Sequence, residues 1–156
     1  MAHLLVAWLW PAYLYLGLVG LLAAWIDARS GLIPNWLTGP SYPLLLGLLA
    51  LSAGQDHDWP PFGRAVAGGL VLSLGYLVLA ALAPGQIGLG DVKLAGLLGL
   101  GLARASWAAW LVGVGAGFTF GAIQGLVLLA KGKGPQHHFP YGPALSLGAL
   151  TGLLIG

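Results

Sequence analysis

The sequence predicts an all-α, polytopic membrane protein. It reads as one membrane-embedded domain over residues 1–156, with about six transmembrane helices of which the fourth and sixth are short. Three observations predict this. Of the 156 residues, 58% are hydrophobic and only 6% are charged. A water-soluble domain carries about 25% charge, so ten ionic side chains could not cover such a surface. Apolar runs of membrane-crossing length recur along the chain, separated by short polar turns. The same composition excludes disorder, which needs a polar chain. With no cysteine, disulfides, thiolate metal sites and cysteine nucleophiles are excluded. The net charge of +2 is small and its cations are scattered, which gives no footprint for nucleic acid.

The first span covers residues 4–26 without a charge. It lacks the basic start of a signal peptide and is longer than a typical signal core, so it reads as a mature helix. The stretch Asp27-Ala28-Arg29-Ser30-Gly31 stops it. The second span covers residues 36–53, where Pro40 and Pro43 predict a kink or a late start. Residues 54–64 form the most polar loop and hold Asp56, His57, Asp58 and Arg64. The third span covers residues 65–83, and a glycine-rich turn follows to Asp91. The fourth, residues 92–103, rises only about 18 Å, well short of a hydrocarbon core. Such a span starts below the membrane surface or sits in a pocket open to water. The fifth covers residues 106–130, and the sixth, residues 142–156, is again short.

Charge sets the orientation. The loops after the first, third and fifth spans hold Arg29, Lys93, Lys131 and Lys133, whereas those after the second and fourth hold Arg64 and Arg104. The positive-inside rule puts the first group in the cytoplasm. Asp27 and Asp91 then share the cytoplasmic side, and Asp56 and Asp58 lie outside. Trp8, Trp10, Tyr13, Tyr15, Trp107 and Trp110 suit interfacial belts. Gly113, Gly117, Gly121 and Gly125 recur every four residues and so share one face of the fifth span. That stripe permits close backbone approach, either inside the bundle or across a homodimer.

All four acids are aspartates, and an acid in or beside a bilayer needs a reason. Asp27 and Asp91 are each readable as a plain helix-end residue. However, helix packing could bring Asp27 and Asp91 together. Two carboxyls sharing a site cannot both ionise easily. One then takes a proton from water while the other polarises a carbonyl, chemistry that needs neither metal nor cofactor. Each is followed two positions later by a cation, Arg29 and Lys93. A two-residue helical step rotates a side chain by about 200°, so these cations point away from their own Asp and snorkel toward lipid phosphates. Gly88-Leu89-Gly90-Asp91 removes side chains before the second acid. That permits unusual dihedrals and leaves room for a substrate backbone. It lacks the further glycine and the lysine of nucleotide-binding loops. His137, His138 and the Asp56-His57-Asp58 run read as solvated loops rather than metal sites. Thr119 and Gln124 read as hydrogen-bonding groups between helices, with Gln124 close enough to the inner end to approach the aspartates.

Asp27 with Ile33-Pro34-Asn35, and Gly88-x-Gly90-Asp91-x-Lys93-Leu94, resemble the type IV prepilin peptidases, aspartic proteases of the GxGD class. Phe139-Pro140-Tyr141-Gly142-Pro143-Ala144-Leu145 is similar to the family's P-[FY]-G-P-x-L segment before its last helix. The three motifs stand in the family's order and span nearly the whole chain. The resemblance implies that Asp27 and Asp91 are the catalytic pair. Gly88, Gly90, Lys93, Pro140, Tyr141, Gly142 and Pro143 would bind substrate or shape the site. It implies a multi-pass protein of the cytoplasmic (inner) membrane. Such a protein cuts the basic leader from prepilins or pseudopilins of a type IV pilus or secretion system, at the cytoplasmic face, after a glycine. Membrane lipid is the other expected partner, contributing anionic charge for the leader. Many bacterial members also carry a zinc-binding domain with paired CxxC motifs and methylate the new N-terminus. With no cysteine here, the resemblance supports the short, peptidase-only form. The competing readings are a small proton- or ion-coupled transporter using the inner aspartates and a non-catalytic membrane scaffold. Against the transporter, no inverted repeat is visible and the acids lie near one face.

Overall fold

The computed structural model describes residues 2–132 and 140–156, with side chains from Leu9 onward. Lys133, His137, His138, Phe139 and the side chain of Trp8 lie outside the described residues. Six helices make up the described chain: α1 (Ala2–Ser30), α2 (Asn35–Asp56), α3 (Pro60–Leu82), α4 (Leu89–Ala105), α5 (Trp107–Ala130) and α6 (Gly142–Ile155). Among the described residues there is no strand. Leu9–Ser30 and the whole of α2, α3 and α5 are long and apolar enough to cross a membrane. At 17 and 14 residues, α4 and α6 are the short pair. The chain is thus an all-α polytopic membrane protein.

Several boundaries move for local reasons. Pro60 and Pro61 occupy the first positions of α3, where a missing N–H costs nothing, so that helix starts inside the stretch predicted as a loop. α2 runs through Pro40 and Pro43 without the predicted late start. Between them Ser41 Oγ donates to the Leu37 carbonyl at 2.5 Å, one turn back. The largest shift is at α4, which begins at Leu89 rather than at residue 92. Gly88 is its N-cap, so Gly-x-Gly-Asp opens the helix instead of preceding it.

α4 is the hub of the fold. From Asp91 to Arg104 every residue except Lys93 is buried. A helix apolar on all sides must be enclosed, and its five partners enclose it. Small residues make the close approaches. A methyl group at Gly69 would lie 2.8 Å from Leu100, and one at Gly99 would lie 2.9 Å from the Gly68 carbonyl. The far end of α4 is capped by Arg64, whose Nε donates to the Ala103 carbonyl at 2.5 Å and whose Nη2 donates to those of Arg104 and Ala105. Arg64 therefore answers the orphan carbonyls of a helix C-terminus besides any topological role. Tyr13, Tyr15 and Trp110 also pin helices together rather than merely lining an interface. They bond to the Gly101 carbonyl, the Ser41 hydroxyl and the Gly68 carbonyl.

Three of the four glycines in the α5 stripe are covered from within the chain, and Gly125 is partly exposed. Gly113, Gly117 and Gly121 are buried, and a methyl group at Gly148 of α6 would lie 2.5 Å from Gly117 Cα. Helix follows helix through short connections, so neighbours run antiparallel. The end of α1 and the starts of α4 and α6 therefore share one end of the bundle. Gly148→Ala is expected to lower stability by about 1–3 kcal/mol, because backbone rather than a flexible side chain must move. Gly115→Ala, with nothing within 4 Å of the new methyl, should leave the melting temperature in detergent unchanged.

Candidate active site

Asp91 occupies the first turn of α4, where it is 3% exposed. Its Oδ2 accepts from the Gly88 N–H at 3.0 Å, and its own N–H donates to the Gly88 carbonyl at 3.1 Å. This reciprocal cap fixes the carboxyl over the positive end of the helix. Gly90 has no strained dihedral; the left-handed glycines among the described residues are Gly31, Gly85 and Gly132. It is small because a methyl group there would lie 2.8 Å from Ile33 Cβ and 2.9 Å from the Ile33 carbonyl. The α1–α2 connection therefore rests on the first turn of α4.

Three side chains hold that turn in place. Lys93 Nζ donates to Asn35 Oδ1 at 2.7 Å. Tyr42 donates to the Lys93 carbonyl at 2.7 Å, and Ser73 donates to the Val92 carbonyl at 3.2 Å. Lys93 thereby ties α4 to α2 rather than reaching for lipid. The Arg29 guanidinium lies 4.4 Å from the centre of the Trp25 ring.

Asp27 lies in the last turn of α1 and is 2% exposed. The helix ends just beyond it, where Gly31 (φ 67°) donates to the Asp27 carbonyl at 2.8 Å in a left-handed cap. The Asp27 carboxyl reaches across the bundle. Its Oδ2 accepts from the Gly142 N–H at 2.7 Å. Gly142 is the first residue of α6, so a helix N-terminus and one of its orphan donors serve the carboxyl. A methyl group at Gly142 would lie 3.0 Å from Asp27 Oδ2 and 3.1 Å from its Cβ. A side chain there would make the Asp27 carboxyl give by a few tenths of an ångström.

Tyr141 links this acid to the other. It is hydrogen-bonded to Tyr76, and both phenols lie within electrostatic range of Asp91. Their rings meet edge to face with centroids 5.8 Å apart, and Tyr76 stacks on Phe118. The other side of Tyr141 rests against Gly121. Gln124 Nε2 donates to the Pro140 carbonyl at 2.9 Å, and Pro143 is half-buried in the first turn of α6. Asp27, Asp91, Gly88, Gly90, Lys93 and the Pro140–Pro143 turn thus gather at one end of the bundle. Tyr42, Ser73 and Tyr76 join them without any sequence motif to announce them. Among the described residues no group of three or more His, Cys, Asp or Glu could hold a metal ion. In the Asp56-His57-Asp58 run, His57 is the left-handed C-cap of α2.

Fold and site together define a helical membrane protein with two buried carboxyls on adjoining helix ends. A model of the type IV leader peptidase family matches residues 14–130. The chain belongs to that family and is a peptidase of the leader-peptidase type. No curated protein matches it, nor does any solved structure. The matched segment holds Asp27, Asp91, Gly88, Gly90 and Lys93. The Pro140–Pro143 turn and α6 lie beyond it, and the Gly142–Asp27 hydrogen bond joins them to the site.

Gly142→Ala is expected to lower kcat/KM for leader cleavage at least about tenfold, because the Asp27 carboxyl must shift on its donor. Gly39→Ala, where a methyl group meets nothing within 4 Å, should cleave at the parent rate in the same assay.

Proposed function

We propose that this leader peptidase is an aspartic endopeptidase with Asp27 and Asp91 as its catalytic pair. It removes the basic leader from prepilins or pseudopilins of a type IV pilus or secretion system. One observation carries the reading: the chain's two buried acids sit at the same end of the bundle, each on a backbone N–H at a helix N-terminus. Acids held this way in a membrane bundle are costly unless they have work to do.

In this reading the pair shares one proton. The ionised carboxyl takes a proton from water, and the resulting hydroxide equivalent attacks the scissile carbonyl carbon. The protonated carboxyl donates to the carbonyl oxygen. As the C–N bond breaks, the departing amine takes a proton and a carboxylic acid and an amine remain. Gly88, Gly90 and Lys93 set the Asp91 turn, and Pro140, Tyr141, Gly142 and Pro143 set the Asp27 partner. Residues 1–156 hold no cysteine, and we assign them no methyl transfer. We place the site at the cytoplasmic face of the cytoplasmic membrane, on the balance of Arg29, Lys93, Lys131 and Lys133 against Arg64 and Arg104.

Asp27→Asn and Asp91→Asn should each slow cleavage of a synthetic prepilin by at least about 1,000-fold, with melting temperatures near the parent value. Proton flux in vesicles without cleavage by the parent would instead support the ion-coupled carrier. The absence of native cysteine makes the topology directly testable. In intact cells an impermeant maleimide should label Asp58→Cys, whereas Lys131→Cys should react only after permeabilisation. The reverse pattern would turn the site outward.

A further inference from the structure

We infer that Gln124 is a positioning residue for the catalytic pair, acting through the Pro140 carbonyl to hold the Gly142 N–H on Asp27. The inference rests on the assignment of Asp27 proposed above. Pro140 and Pro143 carry no N–H, so the Pro-Tyr-Gly-Pro turn has little backbone bonding of its own. The Leu145 N–H bonds to the Tyr141 carbonyl at 3.1 Å, at the start of α6. Gln124 donates to the Pro140 carbonyl at 2.9 Å.

The grip is doubled. Gln124 stands three residues after Gly121, on the same face of α5. Gly121 receives the Tyr141 ring while Gln124 receives the carbonyl just before it. Two consecutive residues of the turn are thereby seated on one helix face, and the next residue donates to Asp27 at 2.7 Å. Gln124 is the only amide side chain in an α5 otherwise built of apolar and small residues with one threonine. An amide in such a span costs free energy unless its hydrogen bonds are made. A leucine would pack there more cheaply, so packing alone does not account for the choice.

The test uses the full chain in detergent with a synthetic prepilin. Gln124→Met keeps the length and removes the donor. It should lower kcat about tenfold, with KM within about twofold of the parent and the melting temperature within a few degrees. Gln124→Glu turns an acceptor toward the carbonyl and should lose at least as much. Gln124→Met combined with Gly142→Ala should be scarcely slower than Gly142→Ala alone, because both act on one hydrogen bond. Parent-like kcat in Gln124→Met would overturn the inference. So would a loss that tracks melting temperature and raises KM, or losses that multiply in the double variant. Undiminished cleavage by Asp27→Asn would instead overturn the assignment of Asp27, and this inference with it.

Discussion

A carboxyl buried in a membrane bundle must be given hydrogen-bond donors, and this chain has few side chains to give. Six Lys and Arg serve the whole sequence. Arg64 caps α4 at the opposite end, Arg29 lies over Trp25 and Lys93 is bonded to Asn35. Backbone N–H groups at helix starts therefore take up the task. Gly88 serves Asp91 and Gly142 serves Asp27. Much of the architecture follows from that. Both helices that offer their starts are the short ones. Both donors are glycines, and at Gly142 a side chain would crowd the acid.

Holding a helix start against an acid demands that the helix itself be held. α4 is enclosed on every side, and its first turn is bonded by Asn35, Tyr42 and Ser73 from two neighbours. α6 is pressed backbone to backbone against the α5 glycines, while its first residues are seated by Gly121 and Gln124. The glycine stripe and the polar residues of the apolar spans are thus parts of one arrangement. The glycines bring the backbones within reach, and the polar groups set the register of the helices along one another.

The six helices were legible because lipid imposes length and apolarity on each, and the two short spans stood out for the same reason. The placement of Asp27 and Asp91 at the same end of the bundle was legible from the order of the spans. The opening turn of α4 was not. Glycine next to aspartate has the composition of a loop, and only the reciprocal bond of Asp91 to Gly88 makes it a helix start. Gly90 was read as freedom for the backbone or room for a substrate, whereas its neighbour is Ile33 of the same chain. Lys93 was expected to snorkel to lipid, but its partner is Asn35, which depends on which helix packs beside α4. Tyr42, Ser73 and Tyr76 escaped notice because two of them bond to backbone carbonyls, which carry no sequence pattern, and the third acts through Tyr141.

The two acids are not held alike. Asp91 lies in the first turn of its own helix and is capped from within it. Asp27 lies in the last turn of its own helix and depends on the first turn of another, joined to it only through the tertiary fold. A pair that divides acid and base duties needs unequal surroundings, although its protons belong to the pair and not to either member. The Asp91 half of such a site forms wherever α4 forms. The Asp27 half exists only when α1, α5 and the Pro140–Pro143 turn are all in register. This dependence puts control of the proposed chemistry at the start of α6, where a displacement of about 1 Å would break the 2.7 Å bond of Gly142 to Asp27.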